Sequence, residues 1–156
     1  MTTMNAPRVL RGVDSVEAAV GEHLGYSQWE KISQERVNRF ADATGDHQWI
    51  HVDPERAAQG PFGGTIAHGY LTLSLIPALA RQVVVFEGFA MVINYGSNKV
   101  RFPQPVKVGA MVRVGAKITA VERTVKGAQV TVRYTVEIEG ADKPACTTDE
   151  VRVLVA

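Results

Sequence analysis

Two side chains that can exchange protons lie close together in the sequence, Asp46 and His51. Histidine is the side chain whose ordinary pKa lies nearest neutrality, and a carboxylate five residues away can share one water molecule with it if the chain turns back on itself. Such a pair can take a proton from the water and deliver one elsewhere, which is general acid–base catalysis. In the alternative interpretation Asp46 caps a turn and His51 is a partly buried polar residue. Both interpretations fit the spacing.

A second candidate is the glycine-rich run Gly63-Gly-Thr-Ile-Ala-His-Gly69, which precedes a long apolar segment. Glycines let a ligand approach the backbone closely, and the free amides at a helix start attract negative charge. A carbonyl oxygen placed against the Gly69 N–H would therefore have its developing charge stabilised. Alternatively, the glycines only permit a tight loop and close packing. The run matches neither a dinucleotide fingerprint nor a P-loop.

A metal site is the competing hypothesis, because His47 and His51 stand four residues apart and His68 is a possible third ligand. Gln48 occupies the position at which a metalloprotease helix carries its catalytic Glu. Gly45 before and Asp53-Pro54 after leave little room for a helix from His47 to His51. We therefore predict no metal ligands.

Three other reactive or aromatic side chains are expected to play structural roles. Cys146 stands in an alternating segment and is predicted to pack rather than to act as a nucleophile. Ser74 lies in an apolar segment without a histidine at known reach, which gives little support to a serine nucleophile. Trp29 is expected in the core.

The composition limits the class of protein. A chain of 156 residues with 46% hydrophobic and 21% charged residues is expected to form one globular domain over residues 1–156. The net charge of +1, with no run of like charges, argues against a nucleic-acid partner. The most apolar stretch, residues 70–86, contains Pro77 and Arg81, so no membrane insertion is predicted. A single cysteine suits a reducing compartment, and a cytoplasmic location is expected.

Helical signals dominate the first half of the chain. One helix is predicted over Asp14–Leu24, with Asp14 and Glu17 as a capping box. A second begins after Ser33 and ends at Gly45, and a brief one opens at Asp53-Pro54 and ends near Ala58. The longest is predicted from Thr65 to about Val85, apolar on nearly all sides and kinked at Pro77.

After residue 88 the apolar residues recur at every second position, which is typical of half-buried antiparallel strands. Four strands are predicted, over residues 91–102, 112–120, 130–138 and 151–155. A sheet curled around one thoroughly apolar helix would bury that helix, which predicts an α+β architecture of hot-dog type. The strand over residues 91–102 would leave an open sheet edge, so a homodimer is expected.

The motifs themselves resemble a known family. The run Phe40-Ala-Asp-Ala-Thr-Gly-Asp46-His-Gln-Trp-Ile-His51, the glycine-rich run and Arg101-Phe-Pro-Gln-Pro-Val106 are similar to the signature of the R-specific enoyl-CoA hydratases, the MaoC-like dehydratases of hot-dog fold. The resemblance covers most of the chain after about residue 26. Gln48-Trp49 stands where the family usually has Asn-Pro, a departure that resembles the NodN-like and actinobacterial branch.

This resemblance implies a function and roles for the candidate residues. Asp46 and His51 would be the catalytic pair, and Gly69 would supply the backbone donor to the thioester oxygen. The reaction would be hydration of a trans-2-enoyl-CoA to an R-3-hydroxyacyl-CoA, with an acyl-CoA thioester as substrate and neither cofactor nor metal. An acyl-CoA thioesterase of the same fold and a non-catalytic acyl-CoA-binding module remain as alternatives. Lys99 and Arg101 either contact the CoA phosphates or belong to an ordinary solvated strand.

Overall fold

The computed structural model describes residues 5–156, which form eight strands and six short helices. In chain order the elements are β1 Arg8–Arg11, α1 Gly12–Ala18, β2 His23–Tyr26, β3 Glu30–Lys31, α2 Gln34–Thr44, α3 Trp49–Val52, α4 Pro54–Ala58, α5 Gly69–Ser74, α6 Ile76–Ala80, β4 Val84–Glu87, β5 Met91–Arg101, β6 Met111–Thr124, β7 Gly127–Ile138 and β8 Cys146–Val155. Within residues 5–156 every helix is too short or too polar to cross a membrane.

Six strands form one antiparallel sheet in the order β2-β6-β7-β8-β5, with β3 also paired to β6. Alternation places one side of each long strand against the core, as β7 illustrates: Val130, Val132, Tyr134 and Val136 are fully buried, whereas the residues between them are partly exposed. Strands β1 and β4 form a separate parallel pair.

Helices α5 and α6 cover the buried face of this sheet, α5 against β8 and α6 against β6. Ile76 and Leu79 of α6 join one apolar cluster with Val114 and Ile118 of β6. Burying such side chains contributes about 1.5–3 kcal/mol each, so the sheet and the two helices hold one another in place. The predicted α+β arrangement of sheet and central helix is confirmed.

The central helix is shorter than predicted, and it is broken. Its helical residues run from Gly69 to Ala80 with an interruption at Leu75, two residues before Pro77, whose nitrogen has no hydrogen to donate. Residues 65–68 are extended instead: the Ala67 N–H donates to the Val106 carbonyl at 2.8 Å. The C-terminal part of the predicted helix is strand β4. Residues 65–68 and strand β4 are mainly apolar and largely buried, as the central helix is. An apolar run alone does not distinguish a helix from a buried strand.

The first predicted helix is also wrong in extent. Helix α1 ends at Ala18, and Leu24 lies in β2. Asp14 and Glu17 form no capping box, because the N-cap residue is Arg11 and both carboxylates pair with Arg123 across the fold.

The helix signals that flank the candidate site are confirmed. The Ser33 hydroxyl accepts the Arg36 N–H at 3.2 Å at the start of α2, and Gly45 ends that helix with a φ of 83°. The carboxylate of Asp53 caps α4 by accepting the Arg56 N–H at 3.1 Å. These turns determine where the chain leaves α2 and enters α4.

Strand β5 lies at the edge of the sheet, as predicted, because within residues 5–156 it pairs with β8 alone. Its first half carries exposed apolar side chains: Met91, Val92, Ile93 and Tyr95 are between 38% and 74% exposed. An edge strand with exposed apolar side chains is suited to pairing with another chain.

Candidate active site

His51 lies on the one-turn helix α3, where its side chain is buried and only 6% exposed. The sequence left little room for a helix from His47 to His51, and that prediction is wrong from Trp49 onward, although His47 does lie outside the helix. Two hydrogen bonds hold the residue: its Nδ1 donates to the Ile66 carbonyl at 2.7 Å, and its backbone carbonyl accepts from Gln34 Nε2 at 2.7 Å. Helix α3 is thereby tied to both α2 and the extended segment before α5.

The hydrogen bond to Ile66 determines which ring nitrogen of His51 is free. A carbonyl oxygen only accepts, so Nδ1 must carry the hydrogen, and in the neutral ring Nε2 is left as an acceptor. Burial lowers the pKa of His51 below its ordinary value of 6.5, and this outweighs the hydrogen bond to Ile66 and the nearby Asp46 carboxylate, both of which raise it. The ring is therefore neutral at pH 7, with a lone pair available on Nε2.

Asp46 is the exposed residue that follows the left-handed Gly45. Its Oδ1 accepts the Gln48 N–H at 3.3 Å, so it does cap a turn. It is nevertheless next to His51, because a carboxylate oxygen of Asp46 and ring nitrogens of His51 and His68 all lie within 4.8 Å of one another. One water molecule can bridge atoms at such a separation. The two sequence-based interpretations of Asp46 are therefore compatible.

His68 completes this cluster of side chains. Its ring is buried and stacks on the ring of His51, with 3.8 Å between centroids and 22° between planes. Its Nε2 donates to the backbone carbonyl of Asp46 at 3.0 Å. The sequence singled out His68 only as a possible metal ligand, and no pattern drew attention to Gln34.

The histidine rings are poorly arranged to hold a metal together. His47, the first ligand considered from the sequence, is exposed and pairs with Asp42 at 2.9 Å. The lone pairs of His51 and His68 lie in nearly parallel stacked planes, whereas tetrahedral zinc requires ligands that converge on one point. The stacking therefore argues against coordination of one metal ion by both rings, although ligand atoms of Asp46, His51 and His68 lie within 4.8 Å of one another.

An apolar cavity of about 250 Å³ opens beside this cluster, and both His51 and Gly69 line it. Gly69 is the first residue of α5, where a backbone N–H has no acceptor within the helix. A methyl group at this position would lie 3.0 Å from the ring of Phe102, which also lines the cavity. The rest of the wall is mainly apolar, and it consists of Phe62, Ile66, Ala67, Thr72, Gln104, Pro105, Val106 and Ala145.

The other residues considered from the sequence lie outside this cavity. Cys146 is buried, and burial raises the pKa of its thiol to about 11, which agrees with a packing role. Ser74 is exposed, and its hydroxyl donates to the Tyr70 carbonyl at 2.6 Å. Trp29 is only half-buried, contrary to the prediction, because it lines a surface groove of about 680 Å³ with the Arg113 guanidinium 4.6 Å from its ring.

Comparison with known proteins identifies the family. Residues 15–140 match the model of the MaoC-like domain, a span that includes Asp46, His51 and Gly69. The chain belongs to the MaoC-like dehydratase family.

Two curated relatives are similar to this MaoC-like chain over nearly its whole length. A 3-hydroxyacyl-thioester dehydratase Z of Mycobacterium tuberculosis is 55% identical over 96% of this chain and 99% of the relative. Nodulation protein N of Rhizobium leguminosarum bv. viciae is 44% identical over 89% of this chain and 88% of that protein. The resemblance to the NodN-like and actinobacterial branch is thus confirmed.

A solved structure gives the same result for the fold. The (R)-hydratase from A. caviae involved in PHA biosynthesis superimposes with a TM-score of 0.70 and 27% identity, over 85% of this chain and 96% of that one. This likeness confirms the hot-dog fold predicted from the sequence.

The pKa values of His47 and His51 should be shifted in opposite directions from that of a free histidine. Burial lowers the pKa of His51, whereas the Asp42 carboxylate raises the pKa of the exposed His47 above its ordinary value of 6.5. A heteronuclear NMR titration should therefore show His47 losing its proton at higher pH than His51, with neutral His51 protonated at Nδ1. The unfolded chain takes up the second proton of His51, which makes the ring cationic, more readily than the folded chain does. The folded state should therefore lose stability as the pH falls below about 6.5. The reverse order of titration would contradict the buried, neutral assignment of His51.

Proposed function

We propose that this MaoC-like dehydratase adds water to a trans-2-enoyl-CoA, giving an R-3-hydroxyacyl-CoA, and catalyses the reverse reaction. The observation that best supports this proposal is a neutral His51 with a free Nε2. It lies at the wall of an apolar cavity, with a ring nitrogen within 4.8 Å of the Asp46 carboxylate. The 55% identity to a 3-hydroxyacyl-thioester dehydratase and the likeness to an (R)-hydratase support a thioester substrate and the R product.

The reaction begins with a water molecule held between Nε2 of His51 and the carboxylate of Asp46. His51 takes one proton of the water as its oxygen bonds to C3 of the substrate. The electron pair of the C2–C3 double bond moves toward the thioester, whose oxygen becomes negative. C2 then takes up the proton held by the pair, and the net change is the addition of one water molecule. Since the pair is fixed on one side of the cavity, water reaches a single face of the double bond, and one enantiomer results.

Gly69 is the proposed donor to the thioester oxygen. Its N–H is free of helical acceptors and belongs to the residue that lines the cavity beside His51. A donor aimed at the oxygen on which charge develops stabilises the transition state more than the substrate, and removing one such donor typically costs about 10²–10³ in kcat. The close contact predicted between any Cβ at this position and Phe102 explains why a glycine suits it.

We further propose that the active form is a homodimer joined through β5. The cavity within one chain, about 250 Å³, is small for a substrate carried on coenzyme A. Phe102, Gln104 and Pro105 line the cavity and follow directly after β5, so a second copy paired to this edge would extend the cavity wall. Pairing would also cover the exposed Met91, Ile93 and Tyr95.

Loss of either member of the catalytic pair should abolish most of the activity. Asp46→Asn and His51→Gln are each expected to lower kcat by about 10²–10⁴-fold, the usual contribution of general acid–base catalysis. The assay follows the loss of enoyl-thioester absorbance, and an enantiomer-specific dehydrogenase identifies the product.

The chain provides a matched control for these substitutions. Asp42→Asn and His47→Gln make the same chemical changes in the neighbouring exposed pair, and they should leave kcat close to the wild-type value. Full activity in a folded Asp46 or His51 variant would remove that residue from the mechanism. Rapid thiol release from a saturated acyl-CoA would instead identify a thioesterase.

Gly69→Ala should reduce turnover without unfolding the protein. The added methyl group stands beside the proposed donor and presses on the Phe102 ring, so the thioester oxygen is displaced; misplacement of about 1 Å costs about 10²-fold. The measurement is kcat on a short trans-2-enoyl-CoA, with circular dichroism as the folding check. Gly64→Ala is the control, because a Cβ there meets open space. Wild-type kcat in Gly69→Ala would exclude a close approach of substrate to this residue.

Sedimentation should show the wild-type protein at twice the mass of one chain. Tyr95→Glu, which places a charge on the β5 edge, should shift the protein toward the monomer and lower its activity. Val125→Glu is the matched control, since Val125 is fully exposed at the turn between β6 and β7. A monomeric wild-type protein with full activity would contradict the dimer.

A further inference from the structure

We infer that His68 is a positioning residue, whose Nε2 holds the main chain of Asp46 while its ring face holds the imidazole of His51. The inference rests on the proposed function of that pair. His68 itself is 3% exposed and is absent from the residues that line the cavity, so we assign it no direct contact with the substrate.

The first contact controls the position of Asp46. This residue lies in an exposed loop just after α2, where its side chain accepts a 3.3 Å hydrogen bond from the Gln48 N–H and its own N–H donates a 3.5 Å hydrogen bond to Thr44 Oγ1. The 3.0 Å hydrogen bond from His68 Nε2 to the Asp46 carbonyl attaches this loop to the buried segment before α5. Without it, the Asp46 carboxylate would be kept within reach of a water on His51 by two long hydrogen bonds to the same exposed segment.

The second contact controls the ring of His51. The ring of His51 can turn only about its Cβ–Cγ bond; the Nδ1 hydrogen bond to Ile66 opposes that rotation at one edge, and stacking on His68 at 3.8 Å opposes it across the ring face. Phe40 lies 4.9 Å from the His68 ring and supports it within the fold. The direction of Nε2 is therefore set by two contacts made with different neighbours.

The unpaired nitrogen of His68 points to the same role. Nδ1 is buried without a hydrogen-bond partner among the described residues, and such a group costs free energy. An aliphatic or phenyl side chain would fill this space without that cost. The advantage of an imidazole here must lie in its other nitrogen, which reaches Asp46.

Two substitutions separate the two contacts. His68→Phe keeps a stacking ring and removes the donor to Asp46. His68→Gln keeps an amide nitrogen at the same distance along the side chain and removes the ring. The same two changes at the exposed His47 serve as controls.

In His68→Phe we expect kcat to fall by about 10- to 100-fold with KM nearly unchanged, because the carboxylate is misplaced while the substrate site is intact. His68→Gln should retain more of kcat. In this variant the acidic limb of the pH profile of kcat should instead move to higher pH. Loss of the ring lets water reach His51, which raises the pKa of His51 toward its ordinary value. The titratable groups that face His51 are Asp46, from the loop after α2, and His68 itself.

Measurements on the protein without substrate make this test independent of the proposed reaction. They also keep it valid if one of the two variants does not fold. NMR should show altered amide resonances at Asp46 to Gln48 in His68→Phe, and an upward shift of the His51 pKa in His68→Gln. These shifts would support the inference even if no enoyl-CoA were hydrated, an outcome that would refute only the proposed function. Equal losses of kcat in the two folded variants, with His51 and the loop unchanged, would show that His68 only fills space. If His68→Phe does not fold, His68→Gln with an unshifted His51 titration overturns the inference.

Discussion

The hydrogen bond from Nδ1 of His51 to the Ile66 carbonyl is the interaction on which the candidate site depends. It joins the one-turn helix α3 to the extended segment that leads into α5, and so brings His51 beside Gly69 at one cavity. It also determines the tautomer, because a carbonyl requires a donor and thereby leaves Nε2 free. A single contact therefore connects the backbone geometry with the proton chemistry.

The surrounding fold makes this contact possible. Residues 65–68 are extended because they pair with the segment around Val106, rather than continuing α5 toward the N-terminus. Were they helical, the Ile66 carbonyl would be directed along the helix axis toward its own backbone partner. The sheet fixes the far side of α5 and α6 through the apolar core, so the start of α5 has a defined position.

Burial and charge divide the roles of otherwise similar residues. Asp42 and His47 form an exposed pair, in which the carboxylate stabilises the imidazolium. Asp46 and His51 lie only four residues further along, yet His51 is buried and its neutral form is favoured. The same two residue types are thus an exposed hydrogen-bonded pair in one place and a candidate acid–base pair in the other.

Local patterns in the sequence sufficed for the four long strands, the turn at Gly45 and the caps at Ser33 and Asp53, and they singled out Asp46, His51 and Gly69 as candidates. Alternation, left-handed turns and capping depend on neighbouring residues, and they are therefore readable from one chain. The break in the central helix, strand β4 and the stacking of His68 on His51 were decided by tertiary structure. Each depends on residues distant in sequence: Val106 pairs with the segment before α5, and β1 pairs with β4. Neither an apolar run nor a histidine indicates, from its neighbours in the sequence, which distant residue it will pack against.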